Sequence, residues 1–279
     1  MKTRLLAAAI LLPIMIPVML FSDTILLPIL MSLFAVVGCY EMILAVGAKR
    51  KIYFLLPSLL YAAVIPFLTA DFLYRDAVYY FAIVAAVTFL YIILMFSVLV
   101  LMNGKEVFSH AAQIILGTVY VTVGFAAIAL LRKFDEAGYL YLLPIIGPWI
   151  TDAGAYFVGF FLGKHKLAPA ISPKKTIEGS IGGVVFGTAS FLVYGLILQL
   201  AFDAVPNYVM LAVAGLIASA ISQIGDLSAS LIKREHDVKD FGNLIPGHGG
   251  VIDRFDSVII VAPLLVMTCL LPTNFSFFF

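Results

Sequence analysis

Apolar runs of about 20 residues recur along the whole chain, separated by short charged segments. A helix needs about that length to cross ~30 Å of hydrocarbon, and within a bilayer only helices or closed barrels satisfy their own backbone N–H and C=O groups. Charged residues make up 12% of the 279 residues and hydrophobic ones 63%, whereas a soluble chain carries roughly 25% charge. The pattern predicts an all-α, polytopic integral membrane protein. About nine transmembrane helices are expected, near residues 5 to 22, 24 to 47, 52 to 70, 77 to 102, 111 to 131, 138 to 162, 180 to 201, 207 to 231 and 256 to 271. The opening MKTRLLAAAILLPIMIPVMLF has the basic start of a signal peptide. Its apolar run is too long for one, and no small-residue cleavage site follows it, so it reads as a retained first span.

Nine spans place the termini on opposite sides of the membrane, and the loop charges then choose between the sides. The side holding the N-terminus collects fourteen of the 17 Lys and Arg residues, leaving Arg75, Arg132 and Lys133 on the other. By the positive-inside rule the N-terminus is cytoplasmic, in the cell (inner) membrane. The two longest loops, 163–179 and 232–255, fall on that same side, as do the inner ends of the helices carrying Glu41, Asp152 and Asp226. Residues 1–140 read as a transmembrane scaffold and 141–279 as a catalytic half of one continuous membrane domain. A net charge of +1 gives no global field for a nucleic acid. Cys39 and Cys269 lie in separate apolar runs and read as small hydrophobes rather than a disulfide.

Against this background Ser230 to Asp256, SLIKREHDVKDFGNLIPGHGGVIDRFD, stands out. It concentrates four basic residues (Lys233, Arg234, Lys239, Arg254), five acids, two histidines and four glycines. Ionisable groups at bilayer depth cost at least ~2.5 kcal/mol each, so the cluster belongs in water at the membrane surface. Asp226 and Ser230, four residues apart, share a helix face, as do Asp253 and Asp256. Paired acids beside paired bases suit a cation that bridges phosphate oxygens, since Mg²⁺ takes one or two carboxylates and shares its other positions with water and phosphate. The duller reading of Asp253-Arg254-Phe255-Asp256 is a helix start decorated with favourable acids. Gly249 and Gly250 would let backbone amides approach an anion. His248 is either a loop histidine bonded to backbone or a metal ligand. His110, His165 and His236 have no partner spacing and read as solvated.

A second constellation lies upstream. Asp152 sits inside an apolar helix beside Gly154, Ala155 and Gly159, which suggests a water-filled cavity or close helix packing. The same packing reading covers Gly179, Gly183 and Gly187 at four-residue spacing. Ser172-Pro173-Lys174-Lys175-Thr176-Ile177-Glu178 puts two cations and a hydroxyl at a helix start. That is either a phosphate site using the free helix N–H groups or a positive anchor with Thr176 as N-cap.

The run S-x-I-K-R-x4-K-D-x-G-x2-I-P-x-H-G-G-V-x-D-R-F-D resembles the signature of the phosphatidate cytidylyltransferase (CDP-diacylglycerol synthase) family, matched at Ser230, Lys233, Arg234, Lys239, Asp240, Gly242, Pro246, His248, Gly249, Gly250, Asp253, Arg254 and Asp256. TDAGAY and SPKKTIEGS resemble the family too, as does the polytopic architecture, so the likeness in motifs covers roughly residues 145 to 260. The resemblance implies that CTP and phosphatidate, the latter held in the lipid bilayer, give CDP-diacylglycerol and pyrophosphate with Mg²⁺. It assigns metal binding to Asp226, Asp253 and Asp256, with room for a second cation and with Asp152 as a further acid. Lys174, Lys175, Lys233 and Arg234 would hold phosphates, with Arg254 beside them. Ser172, Thr176, Glu178, Ser230, Lys239, Asp240, His248, Gly249 and Gly250 complete the substrate surface. Other membrane phospho- or nucleotidyl-transferases, of the CDP-alcohol or polyprenol-phosphate type, are the alternative, although the D-x2-D-G-x2-A-R pattern of the former is absent. A transporter is a third reading, disfavoured by the long charged loops. The glycine-spaced helices leave room for a homodimer.

Overall fold

In the computed structural model the described residues are 17–18, 20–47, 52–69, 77–134, 139–242, 249–270 and 277–278. They form eight α-helices: α1 (Leu26–Ala45), α2 (Ile52–Phe67), α3 (Ala77–Leu101), α4 (Phe108–Leu131), α5 (Leu143–Leu162), α6 (Ile177–Phe202), α7 (Tyr208–Glu235) and α8 (Ile252–Cys269). Each falls on one of the expected apolar segments, so the all-α polytopic class holds. The ninth expected segment, 5 to 22, lies almost wholly outside the described residues. Among the described residues, six stretches are long and apolar enough to cross a membrane. The 16-residue α2 is shorter, and α8 carries Asp253, Arg254 and Asp256 in its first turns. Two short antiparallel strands, β1 (Lys166–Ala168) and β2 (Ser172–Thr176), were not expected in the loop before α6.

The chain divides into two compact units, Met1–Lys133 with Glu235–Phe255, and Phe134–Arg234 with Asp256–Phe279. In the first, α1 to α4 pack around Ile43, Phe54, Ile65, Met95 and Ile114, all fully buried. Four hydroxyls inside this core are paired with one another. Ser58 and Tyr91 share a hydrogen bond of 2.8 Å, as do Tyr61 and Thr88, which avoids the cost of an unsatisfied buried hydroxyl. Helix α3 leaves much of its apolar surface open, with Val100 77% and Leu101 78% exposed. Such a surface is stable against lipid tails, which are as apolar as the side chains themselves. Cys39 is buried and Cys269 half-buried, and neither is in a disulfide.

Lipid offers no hydrophobic drive for helix association, so close backbone approach must do the work. The second unit shows how. A Cβ at Gly179 would lie 2.7 Å from the Ala155 carbonyl oxygen, and one at Gly183 2.9 Å from that of Thr151. The reversed order of these contacts makes α5 and α6 antiparallel, and the stripe Gly179, Gly183, Gly187 is their seam. Gly225 of α7 plays the same part against α8, where a Cβ would stand 2.8 Å from the Asp256 carbonyl oxygen.

Candidate active site

Four charged side chains meet within the second unit. Asp152 comes from the middle of α5, Lys175 from β2, Asp226 from the last third of α7 and Asp256 from the second turn of α8. Lys175 forms an ion pair with Asp226, and both side chains are about three-quarters buried. Asp226, Asp256 and Lys175 all act electrostatically on Asp152, which also hydrogen-bonds the Ser257 hydroxyl. The Ser230 hydroxyl donates to Asp226 Oδ1 at 3.5 Å, and Ser257 N–H to Asp256 Oδ1 at 2.7 Å. The tight backbone approach at Gly225 explains why Asp226, the next residue, arrives beside the start of α8. Asp226 is thus paired with the ammonium, and Asp152 lies within electrostatic reach of that pair and of Asp256. Like charges in so sheltered a place repel strongly unless further positive charge is supplied.

The hairpin separates the two lysines. Side chains alternate along a strand, so Lys174 is exposed while Lys175 turns inward to Asp226. Thr176 caps α6, its hydroxyl oxygen accepting the Gly179 N–H at 3.2 Å. Glu178 accepts the backbone N–H groups of Lys164 and His165 at 3.1 and 3.2 Å, and His165 Nδ1 at 2.6 Å. Thr176 and Glu178 thus build the hairpin that aims Lys175. His165 has a partner after all, Glu178, thirteen residues further along the chain. His110 is likewise bonded, its Nε2 lying 2.8 Å from the Val46 carbonyl oxygen.

A different arrangement occupies the first unit. Both oxygens of the Glu41 carboxylate, buried in α1, accept backbone N–H groups at the start of α8, from Val251 at 3.0 Å and Ile252 at 3.1 Å. Asp253 Oδ2 accepts the N–H groups of Phe241 and Gly250 at 2.9 and 3.0 Å. Gly249 has φ +82°, a left-handed conformation that favours glycine. The anions approached by this glycine-rich turn are therefore two of the protein's own carboxylates. Glu41 is the residue whose role sequence reasoning missed. An acid within GCYEMILA was the available signal, but nothing in the sequence named its partners, 210 residues away.

The remaining candidates are more exposed. Lys233 and Ser172 are half-buried, while Arg234, Lys239, Asp240 and Arg254 are exposed. Pro246 and His248 lie outside the described residues. Among the described residues no three His, Cys, Asp or Glu side chains converge closely enough to hold a metal. The side chains of Asp152, Asp226, Asp256, Ser230 and Ser257 nonetheless offer only oxygen, and in kind they suit a hard divalent cation.

A polytopic membrane protein that carries acids on glycine-packed helices and pairs one of them with a strand lysine has the make-up of a membrane-embedded phosphotransfer enzyme. The chain belongs to the cytidylyltransferase family, whose family model matches residues 2–271. It is 35% identical over 266 residues to the phosphatidate cytidylyltransferase of Staphylococcus epidermidis, covering 95% of this chain and 97% of that protein. Identity to the phosphatidate cytidylyltransferase of Bacillus subtilis is 40% over 175 residues, 62% of this chain and 64% of that one. For that of Staphylococcus aureus strain COL it is 42% over 166 residues, 60% and 62%. The last two alignments span less than two thirds of those relatives.

Proposed function

We propose that this protein transfers the cytidylyl group of CTP to phosphatidate, giving CDP-diacylglycerol and pyrophosphate, at the cytoplasmic face of the cell membrane. The observation that carries this reading is the pairing of Lys175 with Asp226 beside Asp152 and Asp256, in a chain of the cytidylyltransferase family. In the reaction a phosphatidate phosphate oxygen attacks the α-phosphorus of CTP, and the bond from that phosphorus to the bridging oxygen of the β-phosphate breaks. Little covalent work falls to the protein. Positioning and charge neutralisation lower the barrier.

Lys175 has the central part. Its ammonium is held by Asp226 before substrate arrives and can turn toward a phosphate oxygen, with Ser230 retaining the freed carboxylate. Lys174, Lys233 and Arg234 stand at or near the surface as phosphate contacts, with Lys239 and Arg254 further out. Asp226 and Asp256, with Asp152, would hold Mg²⁺, which when bound supplies positive charge against the triphosphate. Asp253 fits a metal less well, because one of its oxygens already takes two backbone N–H groups. It shapes the turn instead. The distribution of Lys and Arg supports the cytoplasmic orientation, where CTP is available. Acyl chains remain in the bilayer, so only the lipid headgroup has to reach these residues.

The test is direct. Purified protein in detergent is incubated with labelled CTP, phosphatidate and Mg²⁺, and both products are followed. CDP-diacylglycerol and pyrophosphate are expected in equal amounts. Failure to form either with any divalent metal overturns the proposal.

A further inference from the structure

We infer that Glu41 is a positioning residue, which acts through the backbone at residues 249–252 to fix the direction in which the first turn of α8 presents Asp253 and, one turn on, Asp256. The first N–H groups of any helix lack partners within it, and a carboxylate placed there is favoured by the helix dipole. At α8 that anion comes from α1. Glu41 takes one N–H on each oxygen, Val251 on Oε1 and Ile252 on Oε2. Two bonds to adjacent amides fix rotation about the helix axis as well as height along it, which a single bond cannot do.

Shape reinforces the hydrogen bonds. A Cβ at Gly250 or at Gly242 would collide with the Glu41 carboxylate, so backbone surrounds it from both ends of the turn. Asp253 completes the tie by bonding Phe241 and Gly250 together from within. The neighbouring Phe255 is seated between Phe34 of α1 and Phe125 of α4, with ring centroids 5.3 and 5.5 Å away. Glu41 therefore sets one side of the turn, and the aromatic cluster sets the other. In this account α1 is part of the machinery that orders the acids, although it contributes no group that touches substrate.

The catalytic half of this inference rests on the cytidylyl-transfer reading, and its test includes one readout that does not. Wild type, Glu41→Gln and Glu41→Asp are compared by amide hydrogen exchange over residues 249–256 and by steady-state formation of CDP-diacylglycerol. Glutamine turns an N–H donor toward one of the two amides. We expect exchange at Val251 and Ile252 to quicken about tenfold while peptides from the middle of α1 and α4 stay as in wild type. We expect kcat to fall about 10²-fold with KM for CTP changed less than about threefold, the signature of misplacement rather than lost binding. Glu41→Asp, which keeps the charge, recovers part of both.

If Glu41→Gln does not fold, Gly242→Ala displaces the same contact from the loop side. Adding Glu41→Asp to Gly242→Ala shortens the acid and makes room, and is expected to raise kcat about tenfold over Gly242→Ala alone. Unchanged exchange at Val251 and Ile252 in Glu41→Gln, kcat within about twofold of wild type, or no recovery in the double variant overturns the inference. A wild-type protein that makes no CDP-diacylglycerol sinks the cytidylyl-transfer reading alone, and the exchange experiment still decides whether Glu41 holds the turn.

Discussion

Two sets of carboxylates, one in each compact unit, are held in opposite ways. In the first unit Glu41 and Asp253 accept backbone N–H groups, four in all. In the second, Asp226 meets the Lys175 ammonium and the Ser230 hydroxyl, Asp256 accepts from Ser257, and Asp152 lies within electrostatic reach of both acids and the lysine. Backbone N–H groups cannot leave, so a carboxylate that takes two of them, as Glu41 and Asp253 do, is part of the scaffold, whereas Asp256 takes only the N–H of the next residue. A lysine side chain can swing away, and a carboxylate that faces one can exchange it for another cation. In the proposed reaction the same residue type would thus serve architecture in one place and chemistry in the other.

Substitutions should separate the two classes, and the largest effect falls on the exchangeable acids. Asp226→Asn or Asp256→Asn is expected to lower kcat by about 10³-fold or more, while the unfolding temperature in detergent moves by only a few degrees. Parallel activity and melting measurements check this. Retained turnover would return those acids to the structural class.

Next comes Lys175. Replacing it by Gln removes the single ammonium and is expected to reduce kcat/KM about 10²-fold, with partial recovery in Lys175→Arg, which restores charge but not a compact point donor. The same change at the exposed Lys174 should cost only about threefold, since a solvated cation is worth little. Equal losses at both positions would contradict the division of labour assigned to the strand.

A smaller, purely structural effect is expected at the α5/α6 seam. Gly183→Val places a branched side chain against the Thr151 carbonyl oxygen and should destabilise the fold by about 1 to 3 kcal/mol. It should lower the unfolding temperature, and the activity that remains per folded molecule should stay near wild type. A large fall in that specific activity would show that the seam does more than pack.

The helices were legible in the sequence because a bilayer imposes both length and composition on any segment that crosses it. Each described helix accordingly lies on an expected apolar run. The glycine seam was legible for a related reason, because close packing is the main way helices adhere in lipid. Local capping was visible too, in Thr176 before Glu178 and Gly179. The hairpin was not, because Ser172-Pro173-Lys174-Lys175-Thr176 has neither alternating apolar residues nor a β-branched run. Its strands are held instead by Glu178 and His165, a pairing that no helical or strand period announces. Glu41 escaped for a deeper reason. Its partners are main-chain amides far along the chain, and backbone groups leave no mark on a sequence.

The central claim is that Asp226 and its neighbours are exchangeable acids of the reaction centre while Glu41 is an architectural one. The measurement that meets it most directly is the pair Asp226→Asn and Glu41→Gln, each assayed for CDP-diacylglycerol formation and for amide exchange at Val251 and Ile252. The account predicts that Asp226→Asn is essentially inactive with wild-type exchange, and that Glu41→Gln is impaired with exchange at those two amides accelerated. An active Asp226→Asn protein, or the same exchange behaviour in both variants, would contradict it.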